Sequence, residues 1–177
     1  MITDMIVLVR PESEKDYEGI TRCNDLAFNQ KDEACLFEAI RKNPKYISEL
    51  SLVVKVITEI IGHILFFPVI IQSDSNNFTS LSLAPMSVLP EYQNRGIGTE
   101  LVKSGLEKAG ELGFESVIVL GHEKYYPRFG FKPASNWNIK SPFPVPDKAF
   151  MAIELIPNAL TEVNGTVIYP KEYDVAL

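Results

Sequence analysis

The run Val88-Leu89-Pro90-Glu91-Tyr92-Gln93-Asn94-Arg95-Gly96-Ile97-Gly98-Thr99 passes from an apolar strand end, through a proline turn, into a helix opened by two glycines. A helix N-terminus carries unpaired backbone N–H groups and a partial positive charge. Such an end is a ready site for phosphate. Gly96 and Gly98 have no Cβ, so an anion can approach the backbone closely. Arg95 adds a cation at the mouth. The plainer alternative is a tight strand-to-helix turn without a ligand. A P-loop needs G-x-x-x-x-G-K-[ST], a run the chain does not contain, and a dinucleotide fingerprint needs a glycine where Leu101 stands. The pattern that does match is Gln-x-x-Gly-x-Gly, at Gln93, Gly96 and Gly98.

Outward from this turn the elements alternate. After it, Gly96 or Ile97 to Leu112 reads as a helix with Leu101, Val102, Gly105, Leu106, Ala109 and Leu112 as its buried stripe, capped by Gly113. Ser116–Leu120 is a continuous apolar strand, as expected where both faces are covered. Glu123–Phe129 is a short helical stretch ended by Gly130. A loop with Pro142, Pro144 and Pro146 leads to a strand over Ala149–Leu155, and Val167-Ile168-Tyr169 forms a last extended piece. Before the turn, Ser80–Leu89 reads as a strand in which Pro85 requires an edge, bulge or bend. Ile6–Arg10 is a short strand stopped by Pro11. Asp16–Phe28 and Glu33–Arg41 have helical periodicity, the second presenting Leu36, Phe37 and Ile40 on one face.

The mostly apolar run Leu50–Ile71 approaches the ~20 residues needed to cross a bilayer. Lys55 and Glu59 lie well inside it, each costing roughly 2.5–3.5 kcal/mol at a membrane centre. Its β-branched content suits strands. It therefore reads as Ser51–Val56 and Ile60–Phe67, joined near Thr58-Glu59 and followed by the polar loop Ser73–Asn77. The order mixes a strand meander with one β-α-β unit, an α/β (α+β) pattern of helices on a sheet. The 177 residues suit one domain.

The composition excludes several classes. The net charge is −6 and no basic block appears, so nucleic acid is not an expected partner. Acidity mildly favours cationic small molecules. Cys23 and Cys35 show neither metal-site spacing nor a disulfide framework and are expected to fill space in helices. Met1–Met5 does not open a signal peptide, which points to the cytoplasm.

The chain resembles the GNAT superfamily of N-acetyltransferases, in particular its small bacterial branch. Two stretches carry the resemblance, Leu83-Ala84-Pro85-Met86-Ser87-Val88 through Gly98 and Val119-Leu120-Gly121-His122-Glu123-Lys124-Tyr125-Tyr126-Pro127-Arg128-Phe129-Gly130-Phe131. With Gly62-His63-Ile64 and Pro146–Phe150 it covers most of Ile6–Leu155. The resemblance implies one acyl-CoA N-acyltransferase domain over residues 1–177, with a core of about 6–155 and an extension at 156–177. It implies a mixed central sheet with helices on both faces, splayed between two parallel strands, Ser80–Leu89 and Ser116–Leu120. Acetyl-CoA is the implied co-substrate, with no metal. The backbone of Met86, Ser87 and Val88 would pair with pantetheine. Gln93, Asn94, Arg95, Gly96, Ile97, Gly98 and Thr99 would form the pyrophosphate loop.

By the same resemblance Tyr126 is the general acid, also touching the cofactor, with Tyr125 a weaker candidate. A phenol keeps its proton at pH 7 and can donate it to a leaving thiolate. On the basic side, Thr79–Val88 contains no carboxylate, so the strand glutamate of some relatives cannot be carried over. Glu59, His63 and His122 remain, as does a water chain. His122 follows the second splayed strand, and histidines titrate nearest neutral pH. The family's helix-starting Asn, seven residues before the tyrosine, is here Val119. The acceptor is a small-molecule or peptide amine. Its pocket is expected from the helices of Asp16–Arg41 and the loop Ser141–Asp147. A homodimer through an exposed strand edge near the C-terminus is possible. The alternatives are a non-catalytic acyl-CoA-binding or sensor domain, which the missing strand carboxylate favours, and an interaction protein with an empty loop.

Overall fold

The computed structural model describes residues 7–175. Met1–Met5 and Ile6, assigned above, lie outside them. The first strand, β1 (Val9–Pro11), accommodates Pro11 because it pairs with a single neighbour, β2 (Ser51–Val56). An edge strand loses no ladder bond to a proline whose missing N–H faces outward. The apolar run folds as a hairpin of β2 and the long β3 (Glu59–Gln72), turning at Ile57-Thr58 and continuing five residues past the expected Phe67. Pro68 sits where pairing with β2 has stopped, at Ser51 opposite Leu65, and pairing with the strand Gly165–Ile168 has not begun, so its missing donor falls beside a gap.

β4 (Asn77–Leu83) returns along β3, followed by the two-residue β5 (Ser87–Val88). β6 (Ser116–Leu120) joins β4 in parallel, with Leu81, Ser82 and Leu83 opposite Val117, Ile118 and Val119. β7 (Lys132–Pro133), β8 (Ile139–Lys140), β9 (Phe150–Glu154) and β10 (Gly165–Ile168) complete a mixed sheet of order β1-β2-β3-β4-β6-β9-β7. β10 pairs β3 on one side and, at Gly165 and Thr166 only, β8 on the other, so the strand edge near the C-terminus is covered in part.

Helices cover both faces. The face of Gly62, Ile64 and Phe66 receives α3 (Ile97–Glu111). A Cβ on Gly105 would lie 2.1 Å from the Phe66 ring, and one on Gly62 would lie 3.0 Å from Ile97, so these glycines set how closely α3 approaches. Leu112, expected in the buried stripe, is 43% exposed, because α3 ends at Glu111 and the chain turns at Gly113 with φ +86°. The other face, with His63, Leu65 and Phe67, packs against Leu36, Phe37 and Ile40 of α2 (Asp32–Arg41). α1 (Tyr17–Phe28) lies beside β5 and buries Ile20, Cys23 and Asn24. Burial pushes the Cys23 thiol up to about 11, so it stays a thiol and serves as packing. Cys35 is exposed, contrary to expectation, because the buried side of α2 is taken by Leu36, Phe37 and Ile40.

α2 is also fixed by a buried polar network that the sequence pattern did not show. Arg41 Nε and a terminal guanidinium nitrogen donate to the two carboxylate oxygens of Glu12 at 2.8 and 2.9 Å, and Tyr46 donates to the same group. His63, 0% exposed, accepts from Asn24 Nδ2 at Nδ1 (3.4 Å). That leaves Nε2–H to donate to Ser51 Oγ at 2.9 Å, with Glu12 Oε2 at 3.5 Å. This pattern assigns the neutral Nε2–H tautomer. Burial holds His63 below its ordinary pKa. Burial raises the Glu12 carboxyl, but hydrogen bonds from His63, Arg41 and Tyr46 outweigh it and hold the group well below the carboxylate range.

Candidate active site

The parallel pair β4–β6 separates after Leu83 and Val119. Between Phe66↔Leu83 and His63↔Ser87, two residues of β3 (Ile64 and Leu65) face three (Ala84, Pro85 and Met86). This is a β-bulge at Pro85, which lacks a ladder donor. The expected strand Ser80–Leu89 is therefore two strands, with β5 hydrogen-bonded to β3 and turned away from β6. β6 meanwhile continues beside β9 to Leu120↔Phe150. The split opens into a cleft of about 550 Å³ bordered by Pro85, Met86, Gly121, Tyr125 and Tyr126. A hollow of about 560 Å³ at the other end of the same strand pair, beside Asn77, Thr79 and Glu115, has no helix N-terminus facing it.

Beyond Met86 and Tyr125, against which Gly98 lies, is the glycine turn. Pro90–Tyr92 forms a 3₁₀ turn, Asn94 has φ 59°, and Gly96 has φ +83° before α3 begins at Ile97. The first helical bond runs from Glu100 N–H to Gly96 C=O. The N–H groups of Ile97, Gly98 and Thr99 thus have no intrahelical acceptor. A Cβ on Gly98 would meet the Tyr125 hydroxyl oxygen at 2.9 Å and the Met86 Cε at 3.2 Å, so this glycine brings the two sequence motifs into contact.

The expected site residues fall into distinct positions. Gln93, Asn94, Arg95 and Gly96 are exposed, while Met86, Val88, Gly98 and Thr99 are half-buried. Ile97 is 1% exposed with its side chain in the core, which leaves only its N–H facing the turn. Ser87 is buried with its hydroxyl 3.6 Å from Cys23 Sγ, and it stands opposite His63 in the ladder. Val88 occupies the next position, where antiparallel alternation turns N–H and C=O away from β3. Its C=O accepts Gln93 Nε2 at 3.0 Å, tying the turn to β5. Its N–H faces the split.

Tyr126 starts a 3₁₀ turn closed by Gly130 at φ +103°. Gly121 carries no Cβ because one would lie 2.3 Å from the Tyr126 ring, and Phe131 packs edge-on against that ring at 5.6 Å. Tyr126 is 8% exposed and borders the cleft. Burial, with Tyr125 beside it, raises its pKa well above that of an ordinary phenol. The His122 carbonyl accepts the Tyr125 N–H at 3.0 Å, while its ring is exposed at the cleft's mouth. Of the other candidate bases, Glu59 is paired with Arg22, and His63 is locked in the Glu12 network.

Among the described residues no His, Cys, Asp and Glu group is placed to hold a metal, and no helix is long and apolar enough to cross a membrane. The acetyltransferase (GNAT) family pattern matches residues 14–131. The chain belongs to this family. The uncharacterized N-acetyltransferase YjhQ of Escherichia coli (strain K12) is 33% identical over 136 residues, covering 76% of this chain and 75% of that one. The crystal structure of the GNAT family N-acetyltransferase YhbS from Escherichia coli in complex with CoA superposes with a TM-score of 0.88 at 30% identity, over 95% of this chain and 92% of that one. A GNAT family acetyltransferase from Brucella melitensis in complex with acetyl-CoA gives a TM-score of 0.77 at 29% identity, over 95% and 98%.

Several cleft residues of this GNAT protein escaped the sequence reading. The far wall is built by Phe28, Glu33 and Leu36 from α1 and α2, as expected of those helices, but also by Tyr169 and Tyr173 from the C-terminal extension. Residues 141–147 do not border it. No local pattern marks Glu33 or Tyr173. Their signal is three-dimensional, a buried polar atom without a well-formed hydrogen bond in a residue that borders the cleft.

Proposed function

We propose that the protein is an acetyl-CoA-dependent N-acetyltransferase that moves an acetyl group to a primary amine by direct transfer in a ternary complex. The observation that carries this reading is a cleft with Tyr126 in its wall, whose bordering residues Met86 and Tyr125 lie against Gly98 at a helix start with free N–H groups. The residues present fit the co-substrate. The N–H groups of Ile97, Gly98 and Thr99, with exposed Arg95, suit a pyrophosphate. The backbone of Met86 and Val88 suits an extended pantetheine arm, and the Val88 N–H is a free donor for a thioester carbonyl. When bound, acetyl-CoA supplies the thioester electrophile. Residues 1–177 act as one acyltransferase unit, with 156–177 completing the acceptor side through Tyr169 and Tyr173.

The chain holds the two reactants in one cleft, which supplies orientation. Tyr126 keeps its proton at neutral pH and donates it to the leaving sulfur. The same burial disfavours a charged thiolate, so donor and acceptor are shifted in the same direction. His122, exposed at the mouth, passes the amine's proton to solvent. A binding-only role is the second reading, favoured by the lack of a carboxylate on β4 and β5. Tyr126→Phe separates the two when followed by thiol release and by acetyl-CoA binding. Turnover on an accepted amine should fall by on the order of 10²–10⁴ while cofactor affinity stays within about twofold. Equal turnover in the variant would overturn the acid assignment, and wild-type binding without turnover on any amine would establish the second reading.

A further inference from the structure

Glu33 is 8% exposed, in the first turn of α2, on the wall of the cleft. Its Oε1 accepts Gln30 Nε2 at 2.8 Å, and its Oε2 is buried without a partner. The Tyr173 hydroxyl on the same wall is also buried, in a residue 5% exposed, with the Ser82 hydroxyl as its one polar neighbour and no well-formed hydrogen bond. A buried carboxylate oxygen without a donor is costly, and native proteins keep few of them. Glu33 Oε2 and the Tyr173 hydroxyl are two poorly satisfied polar groups in residues that border one cleft.

We infer that Glu33 is the acceptor-binding group, and that the acceptor is a primary amine with a single positive charge on an apolar, preferably aromatic, body. The inference rests on the N-acetyltransferase reading. The charge follows from the lining. Among the described residues Glu33 is the one carboxylate bordering the cleft, and no Lys or Arg borders it. One ammonium is therefore matched, a second finds no partner, and a substrate carboxylate finds no cation. The body follows from the walls, since Phe28, Leu36, Tyr169 and Tyr173 offer aliphatic and aromatic surface. Tyr173 offers one further hydrogen-bonding hydroxyl on the same wall. The position of Glu33 is rigid because α2 is anchored by the Arg41–Glu12 pair and by Phe37 against His63.

The test uses the full chain with acetyl-CoA and three acceptors, 2-phenylethylamine, phenylalanine and spermidine. Expected is a kcat/KM for 2-phenylethylamine at least tenfold above the other two. Glu33→Gln should raise its KM at least tenfold, Glu33→Asp should recover part of the loss, and neither should change the melting shift caused by acetyl-CoA. The amine itself should raise the melting temperature of the unaltered protein and not of Glu33→Gln. An unchanged KM in Glu33→Gln, a preference for phenylalanine or spermidine, or no acetylation of any of the three by a protein that binds acetyl-CoA would each overturn the inference. Absence of an acetyl-CoA shift in the unaltered protein would instead overturn the acyltransferase reading, and this inference with it.

Discussion

Glu12 and Glu33 are equally buried, each 8% exposed, yet their surroundings are opposite. Glu12 receives a two-point Arg41 contact and a Tyr46 hydroxyl, with His63 Nε2 at 3.5 Å. Glu33 receives one amide from Gln30 and keeps an oxygen empty-handed. Burial alone therefore says nothing about role. The donors around a buried carboxylate separate one that holds the fold from one that waits for a ligand. The two are connected, since Glu12 anchors through Arg41 the helix that carries Glu33 into the cleft.

Substitution at the structural carboxylate should give the largest effect. Glu12→Gln leaves Arg41 buried beside a neutral group, and breaking such a pair costs about 3–5 kcal/mol. Chemical denaturation should show a loss of that order, and a loss below about 1 kcal/mol would mean the network is not the clamp described. Gly96→Val comes next. A β-branched residue at φ +83° is strained by about 1–2 kcal/mol, and acetyl-CoA affinity should drop at least tenfold because the turn must move. Calorimetric titration giving wild-type affinity would remove the turn from the site.

The pH dependence should be smaller and one-sided. His63 is depressed from 6.5 by burial, so the folded protein keeps it neutral while the unfolded chain takes a proton as pH falls below about 6.5. Its contribution is intact above that value and is lost on acidification, by at most about 1.4 kcal/mol per pH unit. Glu12, also depressed, adds a loss of the same sign below its ordinary 4.5. Denaturation midpoints should be flat from pH 8 to 7 and should fall from 6.5 to 5. A flat profile down to pH 5 would contradict the neutral His63. The smallest effect belongs to Glu33→Gln, which removes a poorly satisfied charge and should leave stability unchanged or slightly higher. A loss above about 2 kcal/mol would make Glu33 a second Glu12.

This contrast also shows what a sequence makes legible. The glycine turn, α3 and the Tyr126–Gly130 turn could be read because each depends on neighbouring residues, with Gly96 and Gly130 at positive φ and Gly98 at a close approach. The bulge at Pro85 was legible from a missing N–H. The hairpin corner was displaced because Ile57, β-branched and 94% exposed, sits at φ 55°, where no turn preference predicts it. The Glu12–Arg41–His63 cluster was hidden because its members come from three distant stretches of the chain, the segment after β1, α2 and β3, and meet only after folding. Glu33 follows Asp32 at a helix start, where an acid is ordinary. Tyr169 and Tyr173 reach the cleft only because β10 pairs with β3 and brings the chain end alongside.

Thermal melting with and without acetyl-CoA tests the central claim most directly. A ligand at 100 times its Kd that binds only the folded state adds about 2.7 kcal/mol, a rise of about 5–10 °C for a chain of this size. That rise is expected in the unaltered protein, cut to about half or less in Gly96→Val and retained in Tyr126→Phe and Glu33→Gln. No shift at millimolar acetyl-CoA would contradict the claim.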